Sequence, residues 1–338
     1  MRPGFDSRIR YKPVPVGTGF LFSRKLENCL NDSFYMKRAL HLARNGEGFV
    51  SPNPMVGAVI VAPEGKIIGE GWHRKFGEAH AEVNACLAVS EENEKLLHES
   101  TIYVTLEPCS HYGKTPPCAD LLVRKRFKRV VIGLKDPFSE VDGHGIQRLR
   151  EAGIEVTVGV MEKECRELNK VFLTAHTLHR PYIILKWAQS ADGWMDSHSR
   201  HPFKFSTPLT QTLVHQLRAN CDAIITSTKT VKADNPLLDI RYWPHGRRPK
   251  TFVANRNNFK EILRNIYEDH HFISVLIEAG PTMLTSILSE GLWDEARVEV
   301  NPVELGKDGM AKAPAVLPAP FDAEKIDGNT IYRYLNLK

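Results

Sequence analysis

Short apolar runs rich in β-branched residues alternate with helix-patterned segments twice over in this chain, and the two series meet at Arg180-Pro181. That alternation calls for α/β architecture, a sheet with helices packed on its faces. In the first series Asp32 or Ser33 is placed to cap a helix whose Met36, Leu40 and Ala43 share a face, with Gly46 ending it. Strands at Val56–Ala62 and Lys66–Trp72 come next, then a helix from about Ala79 to Ser90 and a buried strand at Thr101–Thr105. Pro116 and Pro117 open another helix. Arg129–Leu134 reads as a strand, Gly145–Ala152 as a helix stopped by Gly153, Ile154–Val160 as a strand, and Glu162–Leu178 as one helix. Pro181 then makes a boundary. The second series starts at Tyr182–Lys186 and continues through Ala223–Thr226 and Ser274–Glu278. The expected division is a disordered tail at 1–31, one domain at 32–177 and a second at 178–338.

Composition narrows the functional classes. At 338 residues, 42% hydrophobic and 25% charged, the chain has material for two buried cores and no collagen-like or disordered bias. Its longest apolar run, Val56–Ala62, is far below the roughly 20 residues that cross a bilayer, so no membrane role is expected. A net charge of +5 with scattered basic residues favours a small anionic ligand over nucleic acid. Cys29, Cys86, Cys109, Cys118, Cys165 and Cys221 occur without a secretory signal, which implies reduced thiols and a cytoplasmic location.

Chemistry concentrates in His80-Ala81-Glu82, Glu107-Pro108-Cys109 and Cys118. One imidazole and two thiolates make three zinc ligands and leave a fourth tetrahedral position for water, the arrangement of a catalytic rather than a structural site. Zinc brings the pKa of such a water down towards about 7. Glu82, two residues beyond a ligand, is placed to take the water's proton and pass it to a departing amine. Each residue alone reads as an ordinary core or surface group. Together, H-x-E, P-C and a later Cys form the zinc-deaminase signature. Cys29, Cys86, Cys165 and Cys221 have no comparable context and read as structural.

The loop between the two cysteines is decisive, because Cys109 and Cys118 enclose eight residues rather than two. With Ser51-Pro-Asn-Pro-Met-Val-Gly57 upstream and Asp136-Pro137 downstream, this pattern resembles the riboflavin-biosynthesis deaminase-reductase family from about Asp32 to the C-terminus. The resemblance implies a three-layer, cytidine-deaminase-like first domain that removes the 2-amino group of 2,5-diamino-6-(5-phosphoribosylamino)pyrimidin-4-one. It makes His80, Cys109 and Cys118 the ligands of one Zn2+ per chain and Glu82 the proton shuttle. It sets Asn53 beside the pyrimidine, and His73, His111 and Lys114 around the substrate near its phosphate. The partner is then a phosphorylated pyrimidine riboside, with no nucleic acid and no membrane. A homo-oligomer is left open.

The second domain resembles the family's reductase, similar in fold to dihydrofolate reductase and dependent on NADPH. The resemblance rests on Leu185-Lys186-Trp187-Ala188, Asp192-Gly193, His215-Gln216-Leu217-Arg218-Ala219, Ala233-Asp234-Asn235-Pro236 and Glu278-Ala279-Gly280. It implies substrate contacts at Arg218, Leu238, Arg241 and Glu278, and cofactor contacts at Ala188, Lys204, Thr230, Asp234 and Gly280. Several positions depart from the family: Ser227 stands where glycine is usual, Ala279 for a second glycine, Lys204 for an aromatic residue and Pro202 for a serine. The span from Arg241 to Glu278 is also short, which implies an incomplete cofactor pocket. A deaminase carrying a degenerate, structural C-terminal domain is therefore the competing reading. A nucleic-acid-editing deaminase and a zinc-stabilised interaction protein rank below it.

Overall fold

Along strand β1 (Gly57–Val61), Ala58 and Ile60 join one buried cluster while Val59 and Val61 join another. That is the two-residue period of a strand, and because every residue of β1 is buried, both sheet faces must be covered. The computed structural model describes residues 32–110, 116–136, 143–198, 203–316 and 319–336. The expected tail, Cys29, His111, Lys114, Pro137 and Pro202 lie outside them.

β1 pairs antiparallel with β2 (Ile67–Trp72) and β3 (Thr101–Leu106), and β4 (Arg129–Leu134) and β5 (Glu155–Val158) extend the sheet in parallel, in the order β2-β1-β3-β4-β5. On one face α2 (Ala81–Leu87), α4 (Cys118–Lys125) and α5 (His144–Glu151) bury Ala85, Leu122 and Leu149 against Ile60, Ile102 and Ile132. The other face carries α1 (residues 32–43), α6 (Glu162–Leu168) and α7 (Lys170–Leu178), which supply Met36, Cys165 and Phe172. A short α3 (Glu91–Glu94) has no buried residue.

Helix α1 lies so close to β1 that a Cβ on Gly57 would collide with the Ala39 carbonyl and the Ala43 amide. Gly57→Ala is expected to destabilise the protein by about 2 kcal/mol, since backbone on both sides must move apart. Thermal unfolding reads this directly, and an unchanged melting temperature would contradict the close packing.

Two local expectations change. Of the two capping candidates, Asp32 gives its carboxylate to tertiary partners: Arg129 binds both its oxygens at 2.8 Å and the Tyr103 hydroxyl donates to it at 2.9 Å. Such charge-assisted bonds from a guanidinium to a buried carboxylate are the stronger kind. The single helix expected over 162–178 is two helices broken at Asn169, whose φ of −108° and ψ of 19° leave the α region. Its carboxamide donates to the Met55 carbonyl at 3.0 Å and accepts from the Met55 amide at 2.9 Å, a tertiary pairing that helical periodicity does not reveal.

The second sheet runs β13-β14-β11-β6-β10-β8-β9. Its parallel part comprises β6 (Tyr182–Ser190), β8 (Ala223–Ser227), β9 (Lys250–Ala254), β10 (Ser274–Ile277) and β11 (Glu295–Asn301). At one edge β13 (Asp322–Ile326) and β14 (Asn329–Leu335) turn antiparallel, and β7 (Trp194–Ser197) pairs separately with β12 (Gly309–Lys312). Helix α8 (Pro208–Ala219) starts at a capping box made by Thr207 and Thr210. Helices α9 (Thr228–Asp234), α10 (Phe259–Glu268) and α11 (Pro281–Glu290) follow. The short span from Arg241 to Glu278 thus still holds two strands and a helix. Ile273 and Tyr267 from this half pack into the cluster on the α1 face of the first sheet.

Among the described residues, no helix is long and apolar enough to cross a membrane. The structural reading of three cysteines agrees with their surroundings: burial pushes the Cys86 thiol up to about 11 and Cys165 up to about 12, and also raises Cys221.

Candidate active sites

The first site forms where three chain segments meet. His80 is the residue capping the N-terminus of α2, Cys109 lies just beyond the carboxyl end of β3, and Cys118 is the first residue of α4. His80 Nδ1 lies 3.6 Å from Cys109 Sγ and 3.3 Å from Cys118 Sγ, and the three ligand atoms are all within 4.8 Å of one another. A tetrahedral zinc with bonds of about 2.0–2.3 Å separates N and S ligands by roughly 3.5 Å, so this donor set fits the ion. The Cys118 amide, at the start of α4, donates to Cys109 Sγ at 3.2 Å. Such a helix N-terminus favours a thiolate. Hydrogen bonding from the Cys118 thiol, then from His80, pulls the Cys109 thiol down to about 4.

Glu82, in the first turn of α2, is 3% exposed and approaches Cys118. Burial, reinforced by the Cys109 charge, pushes its carboxyl up to about 7. A carboxyl so placed beside the donor set is in position to exchange a proton with a group held there.

Asn53 and His73 stand beside the cluster, the His73 ring meeting that of His80 edge-on at 5.4 Å. His73 Nδ1 faces the Ala79 carbonyl at 3.1 Å, and a carbonyl only accepts, so the ring proton is on Nδ1. Nε2 is then the acceptor for Asn53 Nδ2 at 3.1 Å. Burial lowers the His73 pKa, consistent with a neutral ring. This pairing turns the Asn53 carbonyl oxygen away from His73. His73 was expected to hold the substrate near its phosphate; the structure gives both of its nitrogens to protein groups and makes it the support of Asn53.

Glu107 opens the Glu107-Pro108-Cys109 motif. It is 4% exposed and accepts from the amides of Asp136, Gly143 and Ile146 at 3.1–3.3 Å, tying the end of β3 to the start of α5.

The second site is a cavity of about 940 Å³ at the carboxyl ends of β6, β8 and β10. Of the expected residues, Arg218, Leu238, Glu278, Ala188, Thr230, Asp234 and Gly280 all line it. Lys204 and Arg241 do not. In the extended segment around Lys204 alternate side chains face inward, so Phe203 and Phe205 line the cavity instead. Arg241 is drawn aside by Asp239, both of whose oxygens it binds at 2.8–2.9 Å, and lies over the Tyr242 ring at 5.1 Å.

Arg218 is held rather than free. Its Nε and one terminal nitrogen donate to Glu278 at 2.6 and 2.9 Å, and its other terminal nitrogen donates to the Asp239 carbonyl at 3.1 Å. Burial works to raise the Glu278 carboxyl, but the Arg218 hydrogen bonds and charge, with Lys186 nearby, keep it below its ordinary value. Lys186, quoted in the sequence only within a run, also lines the cavity, and burial lowers its ammonium pKa.

The departures at Ser227 and Ala279 and the short span from Arg241 leave the cavity in place among the described residues. Ser227 has φ −93°, so its place needs no glycine; its hydroxyl instead caps α9 by accepting from the Thr230 amide at 3.1 Å. Ala279 is buried within the core cluster beside Ile277 and Met283. The span expected to leave an incomplete pocket contributes Ala254, Asn255, Arg256 and Asn257 to the lining. Gly280 precedes α11 and lines the cavity together with Pro281, Thr282 and Met283; Pro281 has no N–H and the Met283 amide donates to the Gly280 carbonyl at 3.2 Å, so the Thr282 amide is the donor of that first turn nearest the cavity.

Comparison with known proteins agrees with both halves. Residues 30–134 match the cytidine and deoxycytidylate deaminase zinc-binding region, and residues 181–314 match the RibD C-terminal domain. The riboflavin biosynthesis protein RibD of Aquifex aeolicus is 37% identical over 320 residues, spanning 82% of this chain and 88% of that protein. The Escherichia coli protein of the same name is 36% identical over 85% of this chain and 92% of its own length. Among solved structures, a diaminohydroxyphosphoribosylaminopyrimidine deaminase/5-amino-6-(5-phosphoribosylamino)uracil reductase from Thermotoga maritima superposes with a TM-score of 0.81 at 32% identity, covering 90% of this chain and 99% of that one. Acinetobacter baumannii RibD gives a TM-score of 0.80 at 32% identity, covering 91% and 99%.

Proposed function

The chain belongs to the RibD family of riboflavin-biosynthesis deaminase-reductases, and from that premise we propose the residues, boundaries and substrates through which it works. The deaminase occupies 32–177 and the reductase 178–338. The substrate of the first is 2,5-diamino-6-(5-phosphoribosylamino)pyrimidin-4-one, and that of the second is 5-amino-6-(5-phosphoribosylamino)uracil. The observation that carries this reading is the convergence of His80, Cys109 and Cys118 with the buried Glu82 beside them.

His80, Cys109 and Cys118 would hold one zinc ion. The chemistry zinc supplies in such a site is Lewis acidity at an open coordination position, which makes water nucleophilic near neutral pH. Glu82 takes the proton of the attacking water and delivers it to the 2-amino group, so that the carbon gains oxygen, the C–N bond breaks and ammonia leaves. Asn53, oriented by His73, presents its carbonyl oxygen to the N–H groups of the pyrimidine. His111 and Lys114 remain assigned to the substrate by family resemblance.

The reductase cavity would hold NADPH, which when bound would supply the hydride that, with a proton from water, reduces the ribosyl group to ribityl. Ala188, Thr230, Asp234 and Gly280 are assigned to the cofactor, and the helix starts after Ser227 and Gly280 would face its phosphates. Arg218, Leu238 and Glu278 form the substrate wall, with Lys186 as a further charged group. A purely structural C-terminal domain is not favoured, because the cavity is lined despite Ser227, Ala279 and the short span from Arg241 to Glu278.

The test is a two-part assay on one preparation. The holoenzyme is expected to carry about one zinc per chain, release ammonia from the diaminopyrimidine phosphate, and then oxidise NADPH in proportion to the deaminated product. Ammonia release without NADPH oxidation would restrict the protein to its first activity, and no ammonia release would refute the deaminase assignment.

A further inference from the structure

The turn that carries Asn53 is anchored in the other half of the molecule. The Asn53 amide donates to the Val50 carbonyl at 2.9 Å, closing a turn with Ser51 at its first corner. The Ser51 hydroxyl donates to Asp222 Oδ2 at 2.8 Å, joining residues 171 positions apart. Asp222 immediately precedes β8, and its side chain is only 2% exposed. The same oxygen accepts from the amides of Ile273 and Ser274 at 3.0 and 3.1 Å and from the Ser274 hydroxyl at 2.9 Å, while Arg247 binds the other oxygen at 2.7 Å. An acceptor held by so many donors has no freedom to follow the serine. The serine must come to it.

A second set of contacts points the same way. Gly48, on the approach to this turn with φ +79°, lies against the reductase backbone: a Cβ there would meet Asn220 Oδ1 at 3.1 Å, the Ala219 carbonyl at 3.4 Å and Gly246 Cα at 3.5 Å. On its deaminase side the segment is held by Asn169 at Met55 and by His73 at Asn53. The turn is thus fixed from both halves, with Asn53 at the end of the part fixed by the reductase.

We propose that Asp222 of the reductase domain is a positioning residue for the deaminase, holding Asn53 in register with the zinc site through the Ser51 hydroxyl. Deaminase substrate binding then depends on the seating of the two domains against one another. The inference rests on the assignment of Asn53 to the pyrimidine.

The experiment measures both half-reactions of full-length, zinc-loaded protein. Ser51→Ala is expected to raise the deaminase KM about tenfold with a smaller change in kcat, the loss of one hydrogen bond to a buried charged group. Zinc content and reductase kcat/KM on the deaminated substrate stay at wild-type values, and Ser51→Thr, which keeps the hydroxyl, restores KM. In the Ser51→Ala/Asp222→Asn double variant, KM is expected to equal that of Asp222→Asn alone. A Ser51→Ala KM within twofold of wild type, or additive effects in the double variant, would overturn the proposal. Asn53→Ala separates the two levels: if it leaves KM unchanged, the substrate assignment falls and the positioning role with it. If it raises KM while Ser51→Ala does not, only the positioning role falls.

Discussion

Glu82→Gln is expected to lower ammonia release by about 10³-fold while the protein keeps its zinc and its ability to oxidise NADPH on deaminated substrate. Glutamine preserves the shape of a side chain that is 3% exposed, so the packing of α2 is undisturbed. What it removes is the carboxylate that accepts a proton, a group whose pKa burial raises. The zinc ligands are three other residues, His80, Cys109 and Cys118, all of which the substitution leaves in place. The reductase assay serves as an internal control for folding. Deamination at the wild-type rate, with zinc content measured on the same sample, would remove Glu82 from the mechanism.

Arg218→Ala tests the other half. Arg218 and Glu278 form a two-bonded ion pair with both side chains 13% exposed, facing the cavity. Removing one partner of such a pair leaves an uncompensated charge, at a cost of about 3–5 kcal/mol. Reductase turnover is expected to be lost with it, since the lining loses a cation and Glu278 loses its orientation. The pH dependence has a definite sign. In the wild type the Glu278 pKa is depressed below 4.5, so its contribution is fully present above that value and is lost as the pH falls through the depressed one. In the variant the Arg218 bonds and charge that lower this carboxyl are gone while burial, which raises it, remains opposed by Lys186 and His215, so the folded state is expected to bind the extra proton at a higher pH than the wild type does. The variant therefore gains stability relative to wild type as the pH is lowered from 7 towards 5. Denaturant midpoints across that range measure the convergence, and a constant gap would contradict it.

Much of the deaminase centre was legible in the chain. His80, Glu82, Cys109 and Cys118 are recognisable because metal ligation and proton transfer demand particular residue types, and those types stand at the starts of helices and the end of a strand that local patterning already marks. The strands β1, β3, β4 and β8 were visible as apolar runs for a similar reason. Other features were hidden by their range. Asn169 interrupts what periodicity reads as one helix, because its carboxamide bonds to Met55, far away in sequence. His73 was read as a donor to substrate because only the fold brings the Ala79 carbonyl to one nitrogen and Asn53 to the other. Lys204 and Arg241 fell at motif positions, yet side-chain alternation turns one away from the cavity and Asp239 draws the other aside.

The departures that put the reductase in doubt also needed the tertiary structure to weigh. Ser227 fills a helix-capping place with ordinary backbone angles, and Ala279 sends its methyl group into the core. Sequence by itself therefore determined the two α/β halves and the His80, Cys109 and Cys118 donor set with Glu82 close by, since these follow from residue chemistry and local periodicity. Only the tertiary structure decided which polar groups are free to meet a ligand and which are already spent on partners. Asp222 and Ser51 are the clearest case: their bond exists because two domains are seated together, and no local pattern records a contact across 171 positions.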